Sequence, residues 1–275
     1  MEKYVMFVPV GGFNDILTGI LNSIDYCKQY NRTLLIPMKW SCYSIELSDY
    51  FDIEDMGIRI LYDSVQIKQH VSNKTVYKFD IDLNEVLDGK VPFKWAEAGV
   101  YTYKGVKCEI PDKVVEEDVI FYLRNKWARG FNLFKQLIWK DSLKELCRNK
   151  RILEKYLCIQ VRCTDYLCDY ADLYEEHKQL IHSYPIYLAT DNEEVVHYFK
   201  SKGLNLFCFT TFPTKMCRNL HYSDVDAHTR FCDVIVDICM ATHSEQILSN
   251  STGGFIQLLR DCFANKSIVL SKLQR

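Results

Sequence analysis

The feature that most constrains this chain is the regular alternation that begins at Tyr156. Short apolar runs at Tyr156–Val161, Ile186–Ala189, Leu206–Phe209, Gln246–Leu248 and Ile268–Leu270 predict strands, and the stretches between them, at Leu173–His182, Glu193–Lys202, Asp226–Thr242 and Gly254–Phe263, predict helices. Strands joined through helices of that length pair in parallel, and such sheets are doubly wound, with helices on both faces. Their ligands collect outside the carboxyl ends of the strands. Three of these ends are polar: Arg162 through Asp165, Thr190-Asp191-Asn192, and Ser249 through Gly254. Arg162 carries a planar fork that a phosphate or carboxylate fits bidentately. The hydroxyl- and glycine-rich turn at Ser251, Thr252 and Gly253 enters a helix and offers backbone amides to an anion. An arginine and an amide nest on neighbouring strand ends predict a diphosphate site.

The first half begins a second α/β lobe. Tyr4–Val10 reads as a strand, Gly11-Gly12 breaks it, and a helical pattern runs from Asn14 through Ile16, Leu17, Ile20, Leu21, Ile24 and Cys27 to a further strand at Thr33–Pro37. Two glycines allow close approach of backbone to ligand, and Asn14 is a suitable cap for the helix. The turn is not G-x-G-x-x-G, so a dinucleotide fingerprint is absent. Cys42–Ile53 reads as a loop with a short helix, Ile58–Tyr62 and Val119–Leu123 as strands, and Val76–Ile81 and Val100–Tyr103 as edge strands. One or two helices within Phe131–Leu157 would carry the chain to the second lobe. The expected division is 1–150 and 151–275.

Composition narrows the function classes. With 275 residues and 48% hydrophobic side chains the chain has ample core for two lobes, and 34 Lys+Arg against 36 Asp+Glu leave no basic footprint for nucleic acid. No apolar run approaches the roughly 20 residues that span a bilayer, and no secretory leader is recognisable, so a soluble, cytoplasmic protein is expected. Twelve cysteines are scattered singly, with no C-x-x-C pair and no zinc spacing, and read as small core hydrophobes rather than a disulfide framework or a metal site. Asp80-Ile-Asp82 and Asp224-Val-Asp226 match the D-x-D form of a divalent metal site, a pattern that ordinary turns also produce.

These blocks resemble a family. Gly11-Gly12-Phe13-Asn14-Asp15, followed by a helix and the strand at Asn31–Pro37, resembles the G-G-L-N-Q opening of plant-type and protein O-fucosyltransferase-like proteins. Ser48–Ile53 (SDYFDI) looks like a shortened form of their S-x-F-x-D-I-F-D block. Cys158–Asp165 (CIQVRCTD) is similar to the H-x-R-R-x-D strand of the wider inverting fucosyltransferase superfamily, Ile186–Asn192 to its T-D-D/N strand, and Asp233–Phe255 to its last conserved helix–strand–turn. The resemblance touches both lobes and about half the chain.

It implies a GT-B-like fold: two Rossmann-like lobes with a cleft between them, and metal-independent sugar transfer with inversion from a nucleoside diphosphate sugar. Arg162 would grip the donor's β-phosphate, Asn14 would approach the donor from the first lobe, Asp237 would read the nucleobase, and Ser251, Thr252 and Gly253 would bind phosphate. Gly11, Gly12, Phe13, Gln160 and Asp191 complete the donor-binding set. GDP-fucose is the favoured donor as the family default; the motif histidine is Gln160 here and the second arginine is Cys163, which keeps a UDP-sugar such as UDP-xylose as the alternative. The acceptor would be a glycan, glycopeptide or protein hydroxyl, and no cofactor is expected.

Charge grows on the departing diphosphate as the glycosidic bond breaks, and Arg162 with the amide nest would stabilise it more than the ground state. The acceptor hydroxyl loses a proton as it attacks, and either a carboxylate at the interlobe cleft or the departing diphosphate itself would take it. Asp15 is the first candidate and Asp52 the second, while the competing role of Asp15, complementing the positive end of its helix, stands ahead of catalysis. A nicotinamide oxidoreductase would share this fold but needs a dinucleotide turn. A non-catalytic sugar-binding protein would have no use for polar clusters at strand ends in both lobes.

Overall fold

The computed structural model describes residues 2–274 except 54–55, 89, 91–92, 96–99, 124–129, 153, 164–167 and 216–222. The chain divides into two compact units, Met1–Ile138 and Trp139–Arg275. In chain order the first unit contains β1 (Tyr4–Phe7), α1 (Phe13–Tyr30), β2 (Thr33–Leu35), β3 (Phe51–Asp52), β4 (Ile60–Leu61), α2 (Ser64–Val71), α3 (Leu83–Leu87), β5 (Lys94–Trp95), β6 (Tyr101–Tyr103), β7 (Val106–Lys107), β8 (Val119–Tyr122) and α4 (Gly130–Phe134). After β9 (Ile138–Trp139) follow α5 (Asp141–Asn149), β10 (Leu157–Val161), α6 (Tyr170–Ile181), β11 (Ile186–Thr190), α7 (Glu193–Ser201), β12 (Leu206–Phe207), α8 (Ala227–His243), β13 (Gln246–Leu248), α9 (Gly254–Ala264) and α10 (Lys266–Gln274). No described helix is long and apolar enough to cross a membrane.

The first unit is built on a parallel sheet of order β4-β2-β1-β8. Every residue of β1 and β8 is buried, as continuous apolar runs must be when both faces of a sheet are covered. Tyr4 and Met6 join one core with Leu35, Phe121 and Val86, while Phe7 turns to the other face, against α1. There Gly19 is the contact, since a Cβ at that position would overlap the Phe7 ring. At the amino end of the sheet the buried Arg32 donates to the carbonyls of Tyr4, Val115, Glu117 and Asp118, tying three strands together. A small antiparallel sheet, β5-β6-β7, includes the expected edge strand at Tyr101–Tyr103. Val76–Ile81 is not a strand. It forms only isolated bridges, Val76 to Phe79 and to Val119, because the chain turns back on itself there, with Lys78 at φ 64°.

The second unit has a parallel sheet of order β12-β11-β10-β13. Aspartate and asparagine caps start three of its helices, α6, α7 and α8: Asp169 accepts from the amides of Ala171 and Asp172, Asn192 from that of Glu194 and Asp226 from that of Thr229. One sequence expectation changes. The run Ile268–Leu270 lies inside α10, because Val269 and Leu273, four residues apart on one helix face, bury against α5, α8 and α9; three apolar residues cannot distinguish a strand from a helix by period. Of the one or two helices expected within Phe131–Leu157, two form, α4 and α5, with β9 between them. Lys140 is extended and starts α5 afresh, and Leu157 already belongs to β10.

Candidate functional site

In both sheets the first strand has its successor on one side and the last strand on the other, so the order reverses beside it. In the second unit that reversal lies between β10 and β13, and the crevice outside their carboxyl ends is where such sheets take ligands. The polar groups gather there. Gln160, 4% exposed at the end of β10, accepts a 2.8 Å hydrogen bond from the Ser249 hydroxyl beyond β13. Ser249 Oγ in turn accepts from the Ser251 amide at 3.1 Å, and Ser251 Oγ from the Gly253 amide at 3.3 Å. The chain of bonds runs from the strand into the first residue before α9, fixing the turn by its own side chains.

Arg162 stands beside that turn. A Cβ built on Gly253 would lie 3.3 Å from Arg162 Nη1, so the absence of a side chain is what admits the guanidinium. Helix α9 begins with no side-chain cap and no acidic residue in its first turn. The guanidinium fork and the first-turn amides of a helix are both groups that suit an anion. On the other side, Asp191 beyond β11 accepts from the Cys163 amide at 2.8 Å and anchors the backbone that follows Arg162. Thr164 and Asp165, the rest of that cluster, lie outside the described residues. Thr252 is exposed at the turn, and Asn250 Nδ2 donates to the Asp169 carbonyl at 2.6 Å.

Asp237 is not part of this network. It lies under the sheet on α8, 8% exposed, and accepts a 2.6 Å bond from the Tyr187 hydroxyl. Tyr187 pairs in register with Cys158 and Ala189 with Gln160, so Tyr187 sits two residues, roughly 6–7 Å, deeper on the strand than Gln160. Burial raises the Asp237 carboxyl to about 8, with Asp233 adding to the rise and the tyrosine bond opposing it. The sequence names Asp237 but not its partner. A tyrosine in the middle of an otherwise apolar buried strand was the available sign, since a buried phenol needs an acceptor.

In the first unit the corresponding crevice lies beyond β1 and β8. Gly11 has φ +83°, a left-handed conformation that suits glycine, and any Cβ there would meet Asp15 Oδ2 at 2.7 Å. Gly12 precedes α1 and its amide donates to that same Asp15 oxygen at 3.2 Å, so the carboxylate is engaged as a helix cap. Asn14 is 3% exposed and its carbonyl accepts from Thr18. It lies inside the first turn, and the residue preceding the helix is Gly12. Phe13 points into the core, with its ring against Tyr43, Phe51 and Phe134, leaving its backbone rather than its ring at the helix start. Asp52 is half-buried on β3 and adds to the burial that raises the Tyr62 phenol. Of the D-x-D residues, Asp82 and Asp226 cap α3 and α8, and Asp224 binds the amide and hydroxyl of Thr214.

No protein-family model and no curated protein matches the chain by sequence. Solved structures match by fold. A NodZ alpha-1,6-fucosyltransferase soaked with GDP-fucose superposes with a TM-score of 0.63 at 14% identity, covering 95% of this chain and 92% of its own. The same enzyme co-crystallised with GDP gives 0.63 at 14% over 94% and 92%, and fucosyltransferase NodZ from Bradyrhizobium 0.63 at 13% over 94% and 93%. The chain therefore shares, over nearly its whole length, the two-unit α/β fold of the NodZ fucosyltransferases.

Proposed function

We propose that the chain is a glycosyltransferase that moves a sugar, fucose from GDP-fucose in the favoured reading, to a hydroxyl of a glycan or protein, with inversion and without a divalent metal. The observation that carries this reading is the guanidinium of Arg162 beside the amino end of α9, two groups that each suit a phosphate, brought together at neighbouring strand ends. Fold likeness to enzymes solved with GDP and GDP-fucose supports the choice of anion.

In this reading the β-phosphate lies between Arg162 and the first-turn amides of α9. Negative charge builds on its oxygens as the sugar leaves, and donors already in place stabilise that charge with little reorganisation. The Gln160–Ser249–Ser251 chain holds the turn to shape, and Asp191 holds the backbone after Arg162. Asp237 is assigned to the base-recognition face. Gly11, Gly12 and Asn14 are the first unit's donor-binding residues, with Asp15 or Asp52 taking the acceptor's proton.

Hydrolysis of a panel of nucleotide sugars tests the proposal. Turnover of GDP-fucose above the other GDP- and UDP-sugars, persisting in excess EDTA, is expected. Turnover of UDP-xylose alone selects the alternative donor, and turnover of none, with thermal stabilisation by NAD instead, overturns the transferase reading.

A further inference from the structure

The second unit carries a pair of thiols outside this site. Cys147 in α5 and Cys239 in α8 are both buried, and their sulfurs are 2.8 Å apart. Non-bonded heavy atoms prefer about 3.5–4.0 Å, whereas a disulfide needs about 2.05 Å, so a small convergence of two packed helices separates contact from bond. Cys232, seven residues earlier on the same face of α8, is half-buried, and Cys262 in the neighbouring helix α9 is buried.

We propose that Cys147 and Cys239 form a disulfide that staples α5 to α8 when the chain meets a small-molecule disulfide oxidant. One thiolate attacks the oxidant, releasing one equivalent of its thiol and leaving a mixed disulfide. The second thiolate attacks that mixed disulfide at the protein sulfur and expels the second equivalent. Two protein thiols and one oxidant disulfide become one protein disulfide and two small thiols. Burial keeps the Cys239 thiol well above its ordinary pKa, so attack waits on local opening of the helix contact and the reaction is slow. The bond would close a long loop across the unit, which is where a cross-link constrains the unfolded chain most.

The test is incubation of the full chain with oxidised glutathione, alkylation of remaining thiols under denaturing conditions, and non-reducing peptide mapping. A peptide containing Cys147 joined to one containing Cys239 is expected in most chains, together with a rise in Tm of about 5 °C that dithiothreitol reverses. Cys147→Ser should show neither, while Cys232→Ser should show both. Alkylation of both Cys147 and Cys239 in chains whose half-buried Cys163, Cys208 and Cys232 have already taken glutathione would overturn the proposal, as would linkage of Cys239 to Cys262 instead. The wild-type map decides even if a serine variant does not fold.

Discussion

Gly253 and Arg162 are matched: the glycine opens α9, and a methyl in place of its hydrogen would stand 3.3 Å from the arginine's Nη1. Gly253→Ala asks the guanidinium to give by a few tenths of an ångström. The fold should survive, because Gly253 has an extended backbone at φ −70° that any residue adopts. Transfer should fall roughly 10-fold or more through a displaced donor, with kcat affected more than KM. Wild-type kinetics in this variant would show that the close approach has no functional weight.

Ser249→Ala removes the link that Gln160 Oε1 accepts and Ser251 N–H donates into. A buried acceptor left without a partner costs about 1–3 kcal/mol, which urea denaturation would register as a lower midpoint at unchanged m. Donor affinity should fall as well, since the turn before α9 loses its tie to the strand. A stability loss with no change in donor affinity would confine the network to a structural role.

Asp237 makes stability depend on pH in a definite direction. Its carboxyl titrates at about 8 in the folded chain, far above the roughly 3.9 of an exposed aspartate. Between about pH 4 and 8 the folded state keeps a proton that the unfolded state has lost. Stability is therefore full below pH 4, falls by up to about 1.4 kcal/mol per unit as pH rises, and levels off above pH 8. Asp237→Asn still accepts from Tyr187 but has nothing to ionise, so its advantage over wild type should widen from pH 5 to pH 8. Parallel urea midpoints for the two proteins across that range would contradict the buried, protonated state. If the carboxyl also reads the base, the same variant should lose donor affinity despite its added stability.

Asp15 holds a cap through the Gly12 amide and is also the first candidate for proton removal. Asp15→Asn keeps an oxygen that accepts the amide, so stability should change by at most about 1 kcal/mol. For a general base, kcat should drop by roughly 100-fold while donor affinity by calorimetry stays near wild type. An unchanged kcat passes the role to Asp52.

The sheet of the second unit is legible in sequence because its central strands, β10 and β11, are buried throughout and α6, α7 and α8 start on Asp or Asn caps. Arg162 stands out since an apolar run ends on it abruptly. Ser249's bond to Gln160 does not, because β10 and β13 are far apart in the chain and their adjacency follows only from the strand order. Phe13 shows the opposite difficulty. A motif position beside two glycines suggested a ligand contact, yet its ring is needed by three aromatic neighbours in the core. Asp82 and Asp226, one from each D-x-D pair, cap the helices that follow them, a local use of aspartate that the pattern alone does not separate from a ligand pair.

Calorimetric titration of GDP into wild-type protein and into Arg162→Ala, with GMP as the control, tests the central claim that Arg162 and the start of α9 hold a diphosphate. GDP should bind wild type tightly and the variant roughly 100-fold more weakly, Arg162→Lys should recover part of the loss, and GMP, which lacks the β-phosphate, should bind all three alike. Equal GDP affinity in wild type and Arg162→Ala would contradict the account.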